Sequence, residues 1–228
     1  MRTHLKAILF DLDGTLIETV HEIADSVNDT LRAIGDSQVL QSQVRDWIGH
    51  GTRELLMNCL AYGRAVSVAQ IRELPGLSEV FALFDDFYLM RCGTRSYLYP
   101  QVQETLGVLK RAGVKMAIVT NKETKFTQAL INAHHLHDYF DIVVCGDTLD
   151  TKKPNPAGIE FCLKEFGAKT DESIFIGDSF IDAKTAQNAG MRVWLMPYGY
   201  NMGEPLDAAL ADHLASGFGE ILRLIDTF

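Results

Sequence analysis

Asp11-Leu12-Asp13-Gly14-Thr15-Leu16, preceded by the apolar run Ala7-Ile8-Leu9-Phe10, is the stretch whose reading decides the fold. The apolar run reads as a buried strand. Two carboxylates then stand two residues apart, where the strand ends and a Gly-Thr turn begins. Open parallel sheets place their ligand crevice at the carboxyl ends of their strands. A nucleophilic carboxylate and a second acid there suit metal-assisted phosphoryl chemistry. By itself the stretch fits equally well a strand followed by an ordinary Asp-Gly turn.

Working outward, four more short apolar runs read as strands: Met116–Val119, Ile142–Cys145, Ile174–Ile176 and Val193–Met196. Helical patterns separate them. Val102, Leu106 and Leu109 share one face, Phe126, Leu130 and Ile131 another, and Pro156 suits the first turn of a helix carrying Ile159, Phe161 and Leu163. The alternation predicts a parallel sheet with helices on both faces, a three-layer α/β/α arrangement of Rossmann type. Asp212–Ala215 adds a short edge strand before a last helix with Ile221, Leu222 and Ile225. From Ile17 to Ser96 no strand is expected. Val20, Ile23, Ala24, Val27, Leu31 and Ile34 follow helical spacing, and Leu55–Leu60, Val68–Leu74 and Val80–Met90 continue in that style. The expected organisation is a discontinuous α/β domain, residues 1–16 and 97–228, with a helical bundle, residues 17–96, inserted after the first strand.

The 228 residues carry a net charge of −9, which argues against nucleic-acid or anionic-membrane partners. It leaves room for an anionic small molecule, because a bound cation reverses the local field. No apolar run approaches the about 20 residues that cross a bilayer, and the first one ends in Asp11, so neither a membrane span nor a signal peptide is expected. Cys59, Cys92, Cys145 and Cys162 are widely spaced, which fits reduced, mostly buried thiols and a cytoplasmic location. Asn28-Asp29-Thr30 is then a chance glycosylation match.

Three further motifs sit at strand ends. Thr120-Asn121 offers a hydroxyl and turn N–H groups to phosphate oxygens, or simply starts a helix. Lys152-Lys153-Pro154-Asn155-Pro156 provides a cation fixed by the following proline, or an ordinary surface loop. In Gly177-Asp178-Ser179-Phe180-Ile181-Asp182, two aspartates four apart suit a hard divalent cation, or a helix N-terminus with acids in its first turn. In the helical insert, Gly49-His50-Gly51-Thr52-Arg53 precedes a helix. Gly51 permits close backbone approach and Arg53 could hold a carboxylate bidentately, though a flexible turn with a surface arginine reads as well. His134, His135 and His137 fit a polar helix end better than a metal site, and Phe81, Phe84, Phe87 and Tyr88 fit the core of the helical bundle.

Together, in this order and each at a strand end, the four motifs resemble those of the haloacid dehalogenase superfamily of phosphotransferases. The resemblance spans the whole chain. Within the superfamily the chain is most similar to the bacterial phosphoglycolate phosphatase group, on Phe10 to Leu16, Trp47-Ile48-Gly49-His50-Gly51, Val119-Thr120-Asn121-Lys122 and the Lys-Pro-x-Pro of residues 153–156. It departs from that group in Glu18-Thr19, where an Asp-Ser or Asp-Thr pair is usual.

The resemblance implies a helical cap domain and a Mg²⁺-dependent phosphatase. Asp11 would attack phosphorus and form an aspartyl-phosphate. Asp13 would protonate the leaving alkoxide and then activate water; a second carboxylate beside it favours holding that proton. Mg²⁺ would sit on the Asp11 carboxylate, the Asp13 main-chain carbonyl and Asp178, with Asp182 as a further acid touching it directly or through water. Thr120 and Asn121 would bind phosphoryl oxygens, and Lys153 would balance charge. An acid at position 13 separates phosphate-ester cleavage from dehalogenation, whose leaving halide needs no proton. The expected substrate is a small phosphorylated metabolite, first 2-phosphoglycolate, then a sugar or amino-sugar phosphate, for a chain acting as monomer or homodimer. A β-phosphoglucomutase-like mutase wants a dedicated cap acid/base that the sequence does not display. A non-catalytic binding module has no chemical need for all six of Asp11, Asp13, Thr120, Lys153, Asp178 and Asp182.

Overall fold

A computed structural model describes residues 5–227; the outermost residues of the expected α/β domain, 1–4 and 228, lie outside the described residues. Six parallel strands form one sheet: β1 (Ala7–Phe10), β4 (Lys115–Val119), β5 (Ile142–Val144), β6 (Ser173–Gly177), β7 (Arg192–Leu195) and β8 (His213–Leu214). Their spatial order is β5-β4-β1-β6-β7-β8. The chain winds outward from β1 first to one side and then to the other. The switch point, where open sheets bind ligands, therefore lies at the carboxyl end of β1 between β4 and β6.

Strand alternation divides the core. Ile8, Phe10, Met116, Ile118, Ile174 and Ile176 pack on one face, with Leu106, Leu130 and Phe218. Ala7, Leu9, Ala117, Val119 and Phe175 pack on the other, with Ile159 and Cys162. Both faces of β1 are thus covered, which is why it reads as an unbroken apolar run. The helices on these faces are α6 (Val102–Arg111), α7 (Thr124–Ala133), α8 (Ala157–Phe166), α9 (Phe180–Ala189) and the short α10 (Arg223–Thr227). Pro156 stands at the N-cap of α8, one residue before the first turn.

The inserted segment is helical as expected: α1 (Val20–Ala33), α2 (Gln41–Asp46), α3 (Thr52–Arg64), α4 (Val68–Arg72) and α5 (Leu77–Arg91). It has its own apolar cluster around Val27, Leu31, Leu56, Leu60, Phe84 and Tyr88, joined by Phe126 of α7 and by Tyr200. Two elements differ from expectation. The six-residue α2 is too short to leave a periodic signal. A two-stranded antiparallel ribbon of β2 (Ile17–Glu18) and β3 (Tyr97–Leu98) lies where no strand was expected to begin, pairing Ile17 with Leu98 and Glu18 with Tyr97. It joins the points where the chain enters and leaves the helical segment. The four cysteines are free; Cys92 is half-buried and the others buried. Among the described residues no helix is long and apolar enough to cross a membrane.

Candidate active site

Three loops meet at the switch point. Asp11 follows β1, Thr120 follows β4 and Asp178 follows β6. With Lys153 from the loop before α8 they line one pocket, which encloses about 530 Å³ including its open mouth. Its opposite wall comes from the helical segment: Ile23, Ile48, Gly49, Gly51, Thr52 and Leu55.

Asp11, Asp178 and Asp182 each bring a carboxylate oxygen within 4.8 Å of the others, and all three are buried. The Lys153 ammonium bridges Asp11 Oδ1 and Asp182 Oδ1, at 2.7 Å each. Of the three buried acids, two share this cation and, among the described residues, Asp178 has none of its own. Burial pushes the Asp11 carboxyl up to about 7, with Asp182 and Asp13 adding to the rise and Lys153 opposing it. Asp178 is raised by burial and by the same crowding of acids. Burial works against the Lys153 charge, but its two aspartates outweigh that and push its pKa up. A hard cation beside Asp11 and Asp178 would relieve this excess, and oxygen donors are what such an ion takes. The residues present fit Mg²⁺.

The acids differ in how they are held. Thr15 Oγ1 donates to Asp178 Oδ1 at 3.0 Å and the Tyr200 N–H to Oδ2 at 2.7 Å. Gly14, at φ +85°, lets the turn pass so close that a Cβ there would lie 2.8 Å from the Asp178 carboxyl carbon. Asp182 Oδ2 accepts from the N–H groups of Asp178 and Ser179 (both 3.1 Å) and from Ser179 Oγ (2.7 Å), in a capping box that opens α9. With Lys153 on its other oxygen, Asp182 fixes the turn and the lysine; both its oxygens are engaged.

Asp13 also lines the pocket. Lys122 Nζ lies 3.0 and 2.8 Å from its two carboxylate oxygens, and Thr19 Oγ1 donates to Oδ1 at 2.6 Å. Tyr200 Oη in turn accepts from the N–H groups of Thr19 (2.7 Å) and Val20 (3.1 Å) and donates to Glu18 Oε1 at 2.6 Å. A polar chain therefore runs from Asp13 through Thr19 to Tyr200 and the ribbon residue Glu18.

Of the residues singled out in the sequence, Asp11, Asp13, Thr120, Asn121, Lys153, Asp178 and Gly51 line the pocket. Gly51, at φ +94°, lies so near the loop after β4 that a Cβ would sit 3.0 Å from the Asn121 carbonyl oxygen. The Asn121 NH₂ donates to Gly49 O (2.9 Å) and Lys153 O (3.0 Å), tying the helical segment to two core loops. Arg53 is not brought to the pocket. Its guanidinium donates to Asp85 Oδ2 (2.6 Å) and the Phe81 carbonyl (3.1 Å) and stacks on the Phe81 ring. A nearby carboxylate inside the same helical bundle wins over a ligand. Of the histidine cluster, His134 bonds Ser96 and His137 faces Asp138.

Lys122 stands in the quoted Val119-Thr120-Asn121-Lys122 motif but carried no role there, and Tyr200 was missed. Lys122 is within two residues of Thr120 in the same strand-end loop, and Tyr200 stands in the loop after β7. The rule that finds both is the one that found Asp11.

The haloacid dehalogenase-like hydrolase family model matches residues 8–196. The chain belongs to this family. A phosphoglycolate phosphatase of Vibrio parahaemolyticus is 37% identical over 221 residues, 97% of this chain and 96% of the relative. One from Pectobacterium atrosepticum is 36% identical, over 98% and 93%. A solved structure of a predicted phosphoglycolate phosphatase from Haemophilus somnus superposes with a TM-score of 0.86 at 32% identity, over 96% of this chain and 97% of that one. The chain is a phosphoric monoester hydrolase, similar to bacterial phosphoglycolate phosphatases.

Proposed function

We propose that this phosphatase is Mg²⁺-dependent and converts 2-phosphoglycolate to glycolate and phosphate through an aspartyl-phosphate on Asp11. The observation that carries this reading is a pair of charge clusters at one pocket: Asp11 with Lys153, Asp178 and Asp182, and Asp13 with Lys122. The names of the relatives favour 2-phosphoglycolate as substrate.

Asp11 and Asp178 would hold the Mg²⁺, together with the Asp13 main-chain carbonyl as the family resemblance implies. When bound, the ion offsets phosphoryl charge and the excess of carboxylates. A carboxylate oxygen of Asp11 forms a bond to phosphorus as the bond to the ester oxygen breaks. The leaving alkoxide takes its proton from Asp13. Water then attacks phosphorus, gives its proton to Asp13 and frees phosphate and the Asp11 carboxylate. Lys153 keeps Asp11 oriented and offsets negative charge gathering at phosphorus. Thr120 stands beside this position with its hydroxyl accepting from the Lys122 N–H, which leaves the hydroxyl proton for a phosphoryl oxygen. Residues 17–96 act as a cap domain that closes the α/β domain, residues 1–16 and 97–228, against water.

Phosphate release from 2-phosphoglycolate tests the reading. Turnover with Mg²⁺, its loss in EDTA and its loss in Asp11→Asn are expected, with an acyl-phosphate trapped on wild-type Asp11. Turnover in Asp11→Asn would overturn the nucleophile assignment, and Mg²⁺-dependent release from other phosphomonoesters but not this one would overturn the substrate.

A further inference from the structure

We propose that Lys122 reads the carboxylate of the substrate's leaving group, which makes it the residue that selects 2-phospho acids. This rests on the reading above, in which Asp13 protonates the leaving oxygen. Lys122 comes from the loop after β4, is 3% exposed and lines the pocket. Its ammonium lies 2.8 Å from Asp13 Oδ2, so it faces the leaving-group side. In a 2-phospho acid a single carbon separates the leaving oxygen from the carboxylate. A group hydrogen-bonded to Asp13 is thereby placed within reach of that carboxylate without any rearrangement of the chain.

The other cations near the pocket are engaged elsewhere; the Lys152 ammonium, beside Gly51, donates to the His50 carbonyl at 2.6 Å. Among the described residues Lys122 and Lys153 are the two cations lining the pocket. Lys153 is committed to Asp11 and Asp182 on the phosphoryl side. Arg53 is held by Asp85 and Phe81. The helical wall offers apolar side chains, backbone and the Thr52 hydroxyl, which donates to Glu123 at 2.8 Å.

Lys122 is also held in place by the groups around it. The Tyr88 ring of α5 lies under it, 4.9 Å from nitrogen to ring centre. An ammonium has three donors; Asp13 takes two of its approaches, and a third remains for a ligand. A lysine serving only to orient Asp13 would need no place in the pocket lining.

Ethyl phosphate is the discriminating probe, because it matches phosphoglycolate in its poor leaving alkoxide and lacks only the carboxylate. The wild type is expected to favour phosphoglycolate over ethyl phosphate in kcat/KM by about a hundredfold or more. Lys122→Met should collapse that preference to within about tenfold, and Lys122→Arg should keep part of it. Equal loss on both esters, with the preference intact, would overturn the proposal and leave Lys122 as a positioning group for Asp13. If Lys122→Met does not fold, Lys122→Arg and Lys122→Gln decide by the same ratio. A wild type that hydrolyses both esters equally overturns the substrate reading itself, and this proposal with it.

Discussion

At the strand ends Asp11, Asp178 and Asp182 crowd around one lysine, whereas the facing helical wall presents Ile23, Ile48 and Leu55 with the backbone of Gly49 and Gly51. The two walls follow different logic. In the first, the turns after β1 and β6 and the start of α9 fix the acids, and the cost of packing buried charges together is offset by Lys153 and by turn N–H groups, with Mg²⁺ adding to this in the proposed mechanism. In the second, apolar side chains exclude water and supply shape. In the proposed mechanism bond making belongs to the strand ends, and the helical segment seals them. Asp13, Lys122 and Tyr200 lie along the seam, where the ribbon of β2 and β3 brings the two parts together.

The sharpest way to break this division is Asp13→Asn. If the strand ends do the chemistry, turnover of phosphoglycolate falls by about 10²–10⁴, the usual worth of a positioned acid–base group. The substitution also leaves the buried Lys122 without its counter-ion, so stability falls by about 3 kcal/mol. Steady-state rates and thermal melts check the two effects separately. Near wild-type turnover would take the proton transfer away from Asp13.

Those strand ends were also the part most legible in sequence. Asp11, Asp13, Thr120 and Asp178 announce themselves because an apolar run followed at once by a polar turn can be located without knowing the fold, and the sheet then brings the turns together, whereas Lys153 and Asp182 are legible only through the motifs that hold them. The strands and major helices were readable for the same reason, through unbroken apolar runs and helical spacing. The seam was not. Glu18 is two residues from Val20, yet nothing in spacing says that its carboxylate meets Tyr200 and Tyr99 hydroxyls from positions 182 and 81 residues away. Arg53 failed in the opposite sense: its placement before a helix was readable, but Asp85, which claims it, lies on another helix. Side-chain pairing across elements is a tertiary property, and short elements such as β2 and α2 carry no period to betray it.

The seam can be tested through Tyr200→Phe. The change removes one hydroxyl that holds the Thr19 and Val20 N–H groups and Glu18, and it leaves the ring in its apolar cluster. Val20 keeps Glu18 as an acceptor at 3.0 Å, whereas Thr19 loses the partner that fixes it. Thr19 holds Asp13, so kcat is expected to fall about tenfold, the effect of one hydrogen bond of about 1 kcal/mol or slightly more, with KM unchanged. A variant that melts earlier but turns over normally would make Tyr200 a packing residue only and detach the ribbon from the chemistry.

The smallest expected effect concerns stability, and it isolates the charge imbalance of the strand-end wall. Asp11 carries its proton in the folded protein up to about pH 7, whereas the ordinary carboxyl value is 3.8. Between those values the folded state binds a proton that the unfolded chain has released, so the contribution of Asp11 is fully present below the lower value and is lost as pH rises through the upper one. Asp178 acts in the same direction. Metal-free protein should therefore melt lower at about pH 8 than at about pH 5. Asp11→Asn should flatten the profile, so that its effect on Tm is more favourable at about pH 8 than at about pH 5. Mg²⁺ should restore the wild type chiefly on the alkaline side. Substitutions in Ile48 or Leu55, which carry no charge, should shift the whole curve without changing its slope. A metal-free wild type whose Tm is flat over this range would mean that the three acids are already balanced within the chain, and the contrast between the two walls would then be one of shape alone.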